Sequence, residues 1–113
     1  MLTVYGIKNC DTVRKALKWL DANGTTYTFH DFRKDGLDTT TVQRWVDVNG
    51  WESVLNKRST TWRHLPEKDK SSLNDVTVVQ VLVDNPTLVK RPVFESKDYI
   101  LQGFTDVVRA KLS

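Results

Sequence analysis

Hydrophobic and polar positions near the N-terminus predict a strand, a helix and a second strand. Residues 2–5 form a short apolar and β-preferring run that ends at a glycine. The next apolar positions have the i, i+3, i+4, i+7 spacing of an amphipathic helix and are Val13, Ala16, Leu17 and Leu20. Asp11 or Thr12 would cap this helix, and the Asn-Gly at 23–24 would end it. Residues 26–32 predict a second strand, parallel to the first because a helix joins the two.

The middle of the chain has the pattern of a helical insertion. Apolar side chains fall on one stripe over residues 39–48, and shorter helical pieces are predicted at 51–55 and 60–65. For residues 76–83 the pattern alone leaves two interpretations open. Their β-branched side chains favour a strand, whereas a polar cap before them and the Asp-Asn-Pro that follows favour a buried helix.

The C-terminal part of the chain predicts two strands and a helix. Residues 92–95 and 99–101 flank a polar turn, which is typical of a β-hairpin, and residues 104–112 predict a closing helix. No repeat or linker is visible, so we expect a single domain over residues 1–113 with a helical insertion at about 37–84. The predicted fold class is α/β, with a mixed sheet formed by the two ends of the chain.

Composition excludes several classes of function. The 113 residues are 39% apolar and 27% charged, which is typical of a folded domain. The 17 basic and 14 acidic residues are interspersed, so a net charge of +3 gives little support for binding nucleic acid. No apolar stretch approaches the ~20 residues of a membrane-spanning helix, and the N-terminus lacks the pattern of a signal peptide. We therefore expect a cytoplasmic protein without a membrane partner.

The single cysteine, Cys10, is the candidate for chemistry. It lies in the predicted loop between the first strand and the first helix, where helix N–H groups stabilise a thiolate over a thiol. A lone cysteine is more often a small buried apolar residue, but the neighbours of Cys10 are polar, which favours an accessible thiol. With His30 and His64 distant in sequence, the chain offers neither an internal disulfide nor a cysteine-rich metal site. Any redox cycle therefore needs an outside thiol.

Two Lys-Arg pairs, at residues 57–58 and 90–91, are the candidate anion-binding groups. Arginine can bind an oxyanion or a carboxylate bidentately, although a solvated surface charge is the more common role of such residues. His30 and His64 have no recognisable acid partner in the sequence, and we assign them no catalytic part. The four tryptophans are not interleaved with a basic strip, so packing explains them better than base stacking.

Three separated motifs carry a resemblance to a known family. They are Tyr-Gly-Ile-Lys-Asn-Cys-Asp-Thr at residues 5–12, Asn-Lys-Arg-Ser-Thr-Thr-Trp-Arg at 56–63 and Asn-Pro-Thr-Leu-Val-Lys-Arg-Pro-Val at 85–93. Together they resemble the arsenate reductase (ArsC) family, specifically its Spx and YffB branches. The resemblance implies a thioredoxin-like fold with a central helical insertion, and it implies a helix at residues 76–83.

The resemblance also implies which residues form a site. In arsenate reductases a loop cysteine attacks an oxyanion or a disulfide, two arginines hold the anion, and glutathione with glutaredoxin completes the reduction. Cys10 and Arg91 match the cysteine and one arginine. The Spx and YffB pattern puts the other arginine at Arg58, whereas a gapless match to arsenate reductases proper puts Asn56 there. By the same resemblance, Pro92 should follow a cis peptide bond beside the cysteine loop.

Two departures from the family pattern narrow the expected activity. Residues 101–104 lack the third arginine of arsenate reductases, which argues against arsenate as the physiological substrate, and Val13 replaces the second cysteine of a Cys-X-X-Cys switch. The resemblance thus implies a thiol reductase that uses glutathione as co-substrate, glutaredoxin as a partner, and a small oxyanion or thiol substrate. We expect the chain to be a monomer. No bound cofactor or metal is expected. Asn9 and Thr12 would donate hydrogen bonds to the bound anion.

The competing hypothesis is a non-enzymatic regulator that resembles Spx and binds RNA polymerase. Gly50, preceded by Asn49, fits the position that Spx proteins use at that interface. The same Asn-Gly pair also predicts an ordinary helix C-terminus, which we favour.

Overall fold

The computed structural model describes residues 2–112, which form two compact units. The first unit comprises the described residues up to Gly36 and those from Arg91 onward, and the second unit runs from Leu37 to Lys90. Within residues 2–112, no helix is long and apolar enough to cross a lipid bilayer.

The first unit contains a mixed four-stranded sheet. Its strands are β1 (Leu2–Gly6), β2 (Tyr27–Asp31), β3 (Val93–Glu95) and β4 (Ile100–Gln102), in the spatial order β2-β1-β3-β4. The central strand β1 pairs parallel with β2 and antiparallel with β3, and β3 pairs antiparallel with β4. The predicted parallel pair, the predicted hairpin and the mixed sheet are therefore confirmed.

The strand register brings three chain segments to one edge of the sheet. Tyr5 in β1 lies opposite His30 in β2 and opposite Val93 in β3. Parallel strands end at the same edge, and a strand antiparallel to them begins there. The segment after β1, the segment after β2 and the segment before β3 therefore share one edge, which we call the carboxyl edge.

Helices account for most of the remaining chain. The α-helices are α1 (Asp11–Ala22), α2 (Phe32–Asp35), α3 (Thr39–Asn49), α4 (Trp51–Val54), α5 (Thr60–His64), α6 (Glu67–Ser71), α7 (Thr77–Asp84) and α8 (Asp106–Leu112). A short 3-10 helix covers Pro86–Leu88. Most of these were predicted, including a helix at residues 76–83; the one-turn helices α2 and α6 were not.

The core of the first unit is formed by the sheet, α1 and α8. The buried side chains that pack together there are Leu2, Val4, Ala16, Leu20, Phe94 and Val108. Burying each of the larger ones contributes about 1.5–3 kcal/mol to folding. The amphipathic stripe of α1 thus fixes the helix against the sheet, and with it the position of the loop that precedes the helix.

The second unit is organised by α3 and α7, which pack against each other. Trp45 on α3 is fully buried, as are Val78 and Leu82 on α7. The Asp38 carboxylate begins α3 by accepting a hydrogen bond from the N–H of Thr41 at 2.8 Å, and Gly50 ends it with a φ of 82°. Gly50 is thus the helix C-terminus that the Asn-Gly pair predicts.

Candidate active site at the carboxyl edge of the sheet

Cys10 lies where the segment after β1 passes into α1. It is the N-cap residue of this 12-residue helix, with an extended backbone (φ −99°, ψ 124°). Its N–H donates to the carbonyl of Ile7 at 3.2 Å, and its carbonyl accepts from the N–H of Arg14 at 3.0 Å. The residue is half-buried, between the buried Ile7 and the exposed start of α1. Cys10 is thus held by its backbone at the positive end of a three-turn helix.

The N-cap position corrects the prediction that Asp11 or Thr12 would cap α1. Both residues lie inside the first turn of the helix and are exposed. Asp11 instead forms an ion pair with Arg14 one turn later. The Cys10 side chain makes no capping hydrogen bond, so its sulfur does not fill the role that a serine or aspartate takes at this position.

Two further predicted site residues lie within two positions of Cys10 in the sequence. Asn9 and Thr12 are both exposed, one on each side of the N-cap. The Asn9 side-chain oxygen accepts a long hydrogen bond, 3.5 Å, from Nη1 of Arg33. The half-buried thiol therefore lies among exposed polar residues at this end of α1.

Arg91 and Pro92 lie at the same edge, immediately before β3. The peptide bond between them is cis, as the resemblance implied. Pro92 is buried, and its carbonyl accepts from the N–H of Gly103 at 2.8 Å, which ties it to the end of the hairpin. Arg91 is half-buried, with its Nε shielded from solvent. Arg91, one of the predicted cations, therefore lies at the carboxyl edge, where the segment that contains Cys10 leaves the sheet.

Arg58 belongs to the second unit and is exposed. Its N–H donates to the side-chain oxygen of Asn56 at 3.0 Å, and the N–H of Asn56 donates to the carbonyl of Leu88 at 2.7 Å. Asn56 therefore uses its amide oxygen to form the turn that carries Arg58. The neighbouring Lys57 lies over the rings of Trp51 and Trp62, at 5.9 and 6.0 Å from their centroids. Arg58 is therefore an exposed cation, whereas the amide oxygen of Asn56 is engaged in the turn and the ammonium of Lys57 lies over two aromatic rings.

Arg33 was not among the site residues predicted from the sequence, and the structure adds it to them. It follows β2 in α2, and its hydrogen bond to Asn9 joins two segments of the carboxyl edge. The predicted parallel pairing of the first two strands was a signal for this contact, because it puts the residues after both strands at the same edge. Among the described residues, no group of three or more His, Cys, Asp and Glu side chains is arranged to hold a metal ion.

Sequence comparison gives the family of the chain. Residues 5–110 match the ArsC family. The chain belongs to the ArsC family. An uncharacterized protein from Haemophilus influenzae is 50% identical over 106 residues, which cover 94% of this chain and 93% of that protein. A global transcriptional regulator Spx from Streptococcus agalactiae is 26% identical over 115 residues and covers 99% of this ArsC-family chain and 83% of its own length.

Solved structures agree with this assignment. The structure of a YFFB protein matches this ArsC-family chain with a TM-score of 0.94 and 38% identity, over 100% of both chains. An arsenate reductase (ArsC) related protein from Brucella melitensis matches with a TM-score of 0.78 and 41% identity, over 97% of this chain and 92% of that chain. The expected thioredoxin-like fold with a mixed sheet is confirmed, as is the likeness to the Spx and YffB branches.

Proposed function

We propose that this chain is a glutathione-dependent thiol reductase with Cys10 as its nucleophile. The observation that supports this most directly is the position of Cys10 as the N-cap of α1, at the sheet edge that also carries Arg91. The helix N-terminus and a guanidinium both favour a thiolate over a thiol. The thiolate is the reactive form in attack on a disulfide or an oxyanion.

The proposed cycle needs one protein thiol and an outside thiol. The Cys10 thiolate attacks the glutathione sulfur of a substrate–glutathione mixed disulfide, forms a Cys10–glutathione disulfide and releases the substrate as a thiolate. Reduced glutathione then attacks the glutathione sulfur of that disulfide, which releases Cys10 and gives oxidised glutathione. The chain contains one cysteine, and Val13 at the position of a second one is fully buried, so resolution by an outside thiol is the consistent route.

The remaining site residues have roles in binding the anion. Arg58 and Arg91 are proposed to bind a glutathione carboxylate or an oxyanion, in line with the family pattern. Asn9 and Thr12 donate hydrogen bonds to the same anion, and Pro92 shapes the surface beside the thiol. Glutaredoxin is the proposed protein partner: its thiolate takes the place of reduced glutathione in the second step, attacks the glutathione sulfur and releases Cys10. This chemistry suits the reducing cytoplasm, where thiols stay free.

Intact-mass spectrometry after incubation with oxidised glutathione tests the proposal. We expect one glutathionyl group on the wild-type chain, its removal by reduced glutathione, and no adduct on Cys10→Ser. In a steady-state assay with a small glutathione mixed disulfide, Arg58→Ala should lower kcat/KM by about two- to fivefold. Arg63→Ala, which removes an arginine on α5 that is also exposed, is the matched control and should have no effect. A wild-type chain that forms no adduct would rule out the reductase.

Two further measurements decide the substrate and the alternative function. If arsenite is produced from arsenate in the presence of reduced glutathione and glutaredoxin, arsenate is a substrate. If no arsenite is produced by a chain that is active on the glutathione mixed disulfide, arsenate is excluded.

The similarity to Spx supports a second candidate, a regulator that binds RNA polymerase. Three results together would favour that candidate: the chain co-purifies with RNA polymerase, Gly50→Arg abolishes this co-purification, and the chain has no reductase activity. Since the C-cap role accounts for Gly50, the reductase is the better-supported proposal.

A further inference from the structure

We infer that Arg33 is a binding residue of the Cys10 site and that it contacts a carboxylate of glutathione. The inference rests on the proposed function and adds a cation that lies outside the three motifs that carry the family resemblance. Its basis is the contact between Nη1 of Arg33 and Oδ1 of Asn9, 3.5 Å apart and 24 positions apart in sequence. Asn9 immediately precedes Cys10, so the guanidinium reaches the loop that presents the thiol.

The backbone around Arg33 holds the residue at the carboxyl edge. Phe32, its neighbour in α2, is buried, and the N–H of Arg33 donates to Oδ1 of Asp31 at 2.9 Å. The turn is closed by the N–H of Gly36, which donates to the carbonyl of Phe32 at 3.1 Å. The position of the Cα atom of Arg33 is therefore fixed by an apolar anchor and a helix cap, while its side chain is exposed.

The carboxylates in the same chain segment as Arg33 accept hydrogen bonds from backbone N–H groups. Oδ1 of Asp31 accepts from the N–H of Arg33, and Oδ2 of Asp35 accepts from the N–H of Asp31 at 3.1 Å. A guanidinium has five N–H donors, and one of those on Arg33 contacts the neutral amide of Asn9. The planar fork of an exposed arginine is well suited to a carboxylate, which it can bind through two parallel hydrogen bonds.

Glutathione has the matching chemistry. When Cys10 attacks oxidised glutathione, one Cys10–glutathione bond forms, the glutathione disulfide breaks and one glutathione thiolate leaves. The half that stays on Cys10 carries two carboxylates, on its γ-glutamyl and glycyl ends. Arg33 contacts Asn9, the residue before Cys10, so its guanidinium is placed to bind a carboxylate of the tripeptide on Cys10. A disulfide without carboxylates would gain nothing from this cation.

Disulfides of different charge separate a direct contact from a general effect on the thiol. With oxidised glutathione, Arg33→Gln should form the Cys10 mixed disulfide about two- to fivefold more slowly than the wild type. With the uncharged bis(2-hydroxyethyl) disulfide, the two proteins should react at the same rate. Lys34→Gln removes an exposed charge from the next residue of the same one-turn helix and should leave both rates unchanged.

The outcomes distinguish this inference from the proposed function. If Arg33→Gln slows the reaction with both disulfides to the same extent, Arg33 does not bind a carboxylate. The same conclusion follows if Lys34→Gln slows the reaction with oxidised glutathione as much as Arg33→Gln does. Either result would leave the proposed reductase intact. A wild-type chain that forms no adduct with oxidised glutathione would remove the reductase itself. Oxidised glutathione with both glycyl carboxylates esterified identifies the bound end: the Cys10 thiolate attacks this disulfide and one esterified glutathione thiolate leaves. If Arg33 holds the glycyl carboxylate, the rate difference between wild type and Arg33→Gln should disappear.

Discussion

A β-carbon added to Gly6 would lie 2.8 Å from Cγ2 of Val13. Gly6 is the last residue of β1, and Val13 is fully buried in the first turns of α1. The helix therefore packs against the end of the strand more closely than any side chain at residue 6 would permit. This close approach fixes the loop between them, which contains Cys10.

Gly6→Ala should destabilise the protein by about 1–3 kcal/mol, because the added methyl group overpacks a buried site. The free energy of unfolding from urea denaturation measures the effect. In a Val13→Ala background the same substitution should cost less, since the atoms that the new methyl group would meet are gone. A Gly6→Ala cost that is unchanged in that background would show that the contact with Val13 is not the cause.

Arg91→Ala should slow the alkylation of Cys10 by iodoacetamide at neutral pH about two- to tenfold. The reason is the loss of a half-buried positive charge from the sheet edge that carries the thiol. The second-order rate constant followed by mass spectrometry is the readout. Lys97→Ala is the control, because Lys97 is exposed in the hairpin turn at the opposite end of β3. Equal rates for wild type and Arg91→Ala would remove Arg91 from the site.

Trp45→Ala should lower the free energy of unfolding by about 3–5 kcal/mol, because the indole is fully buried and its loss leaves a large cavity. Trp45→Phe, which retains part of the ring volume, should cost less. Val48 lies on the same helix but is 62% exposed, so Val48→Ala should change stability by no more than about 0.5 kcal/mol. A similar cost for Trp45→Ala and Val48→Ala in chemical denaturation would contradict the burial of Trp45.

The stability of the protein should fall at high pH through Tyr27. Burial raises the pKa of Tyr27 above its ordinary value of 10.0, and so does its hydroxyl hydrogen bond to Oδ1 of Asp21 at 3.1 Å. Because the folded-state pKa is higher than the unfolded one, this contribution is fully present below pH 10.0 and is lost as the pH rises through the folded-state value.

Ultraviolet difference absorbance of the tyrosinate provides the measurement of that pKa. Asp21→Asn should lower the pKa of Tyr27 by removing the negative charge beside it, and Tyr27→Phe should flatten the decline of stability above pH 10.0. A pKa of Tyr27 that does not move in Asp21→Asn would leave burial as the only cause.

The elements of the first unit are well predicted from the sequence, because their apolar residues recur at regular intervals. In α1 the apolar residues recur with the helical period, and in β1 buried and partly exposed residues alternate. The helix α7 was ambiguous because its β-branched residues have a local preference for strands, and packing against α3 overrides that preference. The one-turn helix α2 depends on the Asp31 cap and the buried Phe32, whereas its sequence has the composition of a turn.

The site was predictable only in part. A loop cysteine before a helix is visible from the order of elements, and the family pattern supplied Arg91. The N-cap of α1 was displaced by one residue because ordinary cap preferences favour aspartate and threonine over cysteine, while the backbone of Cys10 adopts the cap conformation. Arg33 was missed since its role depends on strand register, a relationship between residues far apart in the chain.

The central position of β1 has a consequence for the order of events during synthesis. One neighbour of this strand, β2, follows within the first third of the chain, but the other, β3, lies close to the C-terminus. A nascent chain can therefore display Cys10 on a partial sheet long before Arg91 and the hairpin leave the ribosome. The thiol should therefore acquire its full reactivity only after Arg91 has been synthesised and β3 has paired with β1.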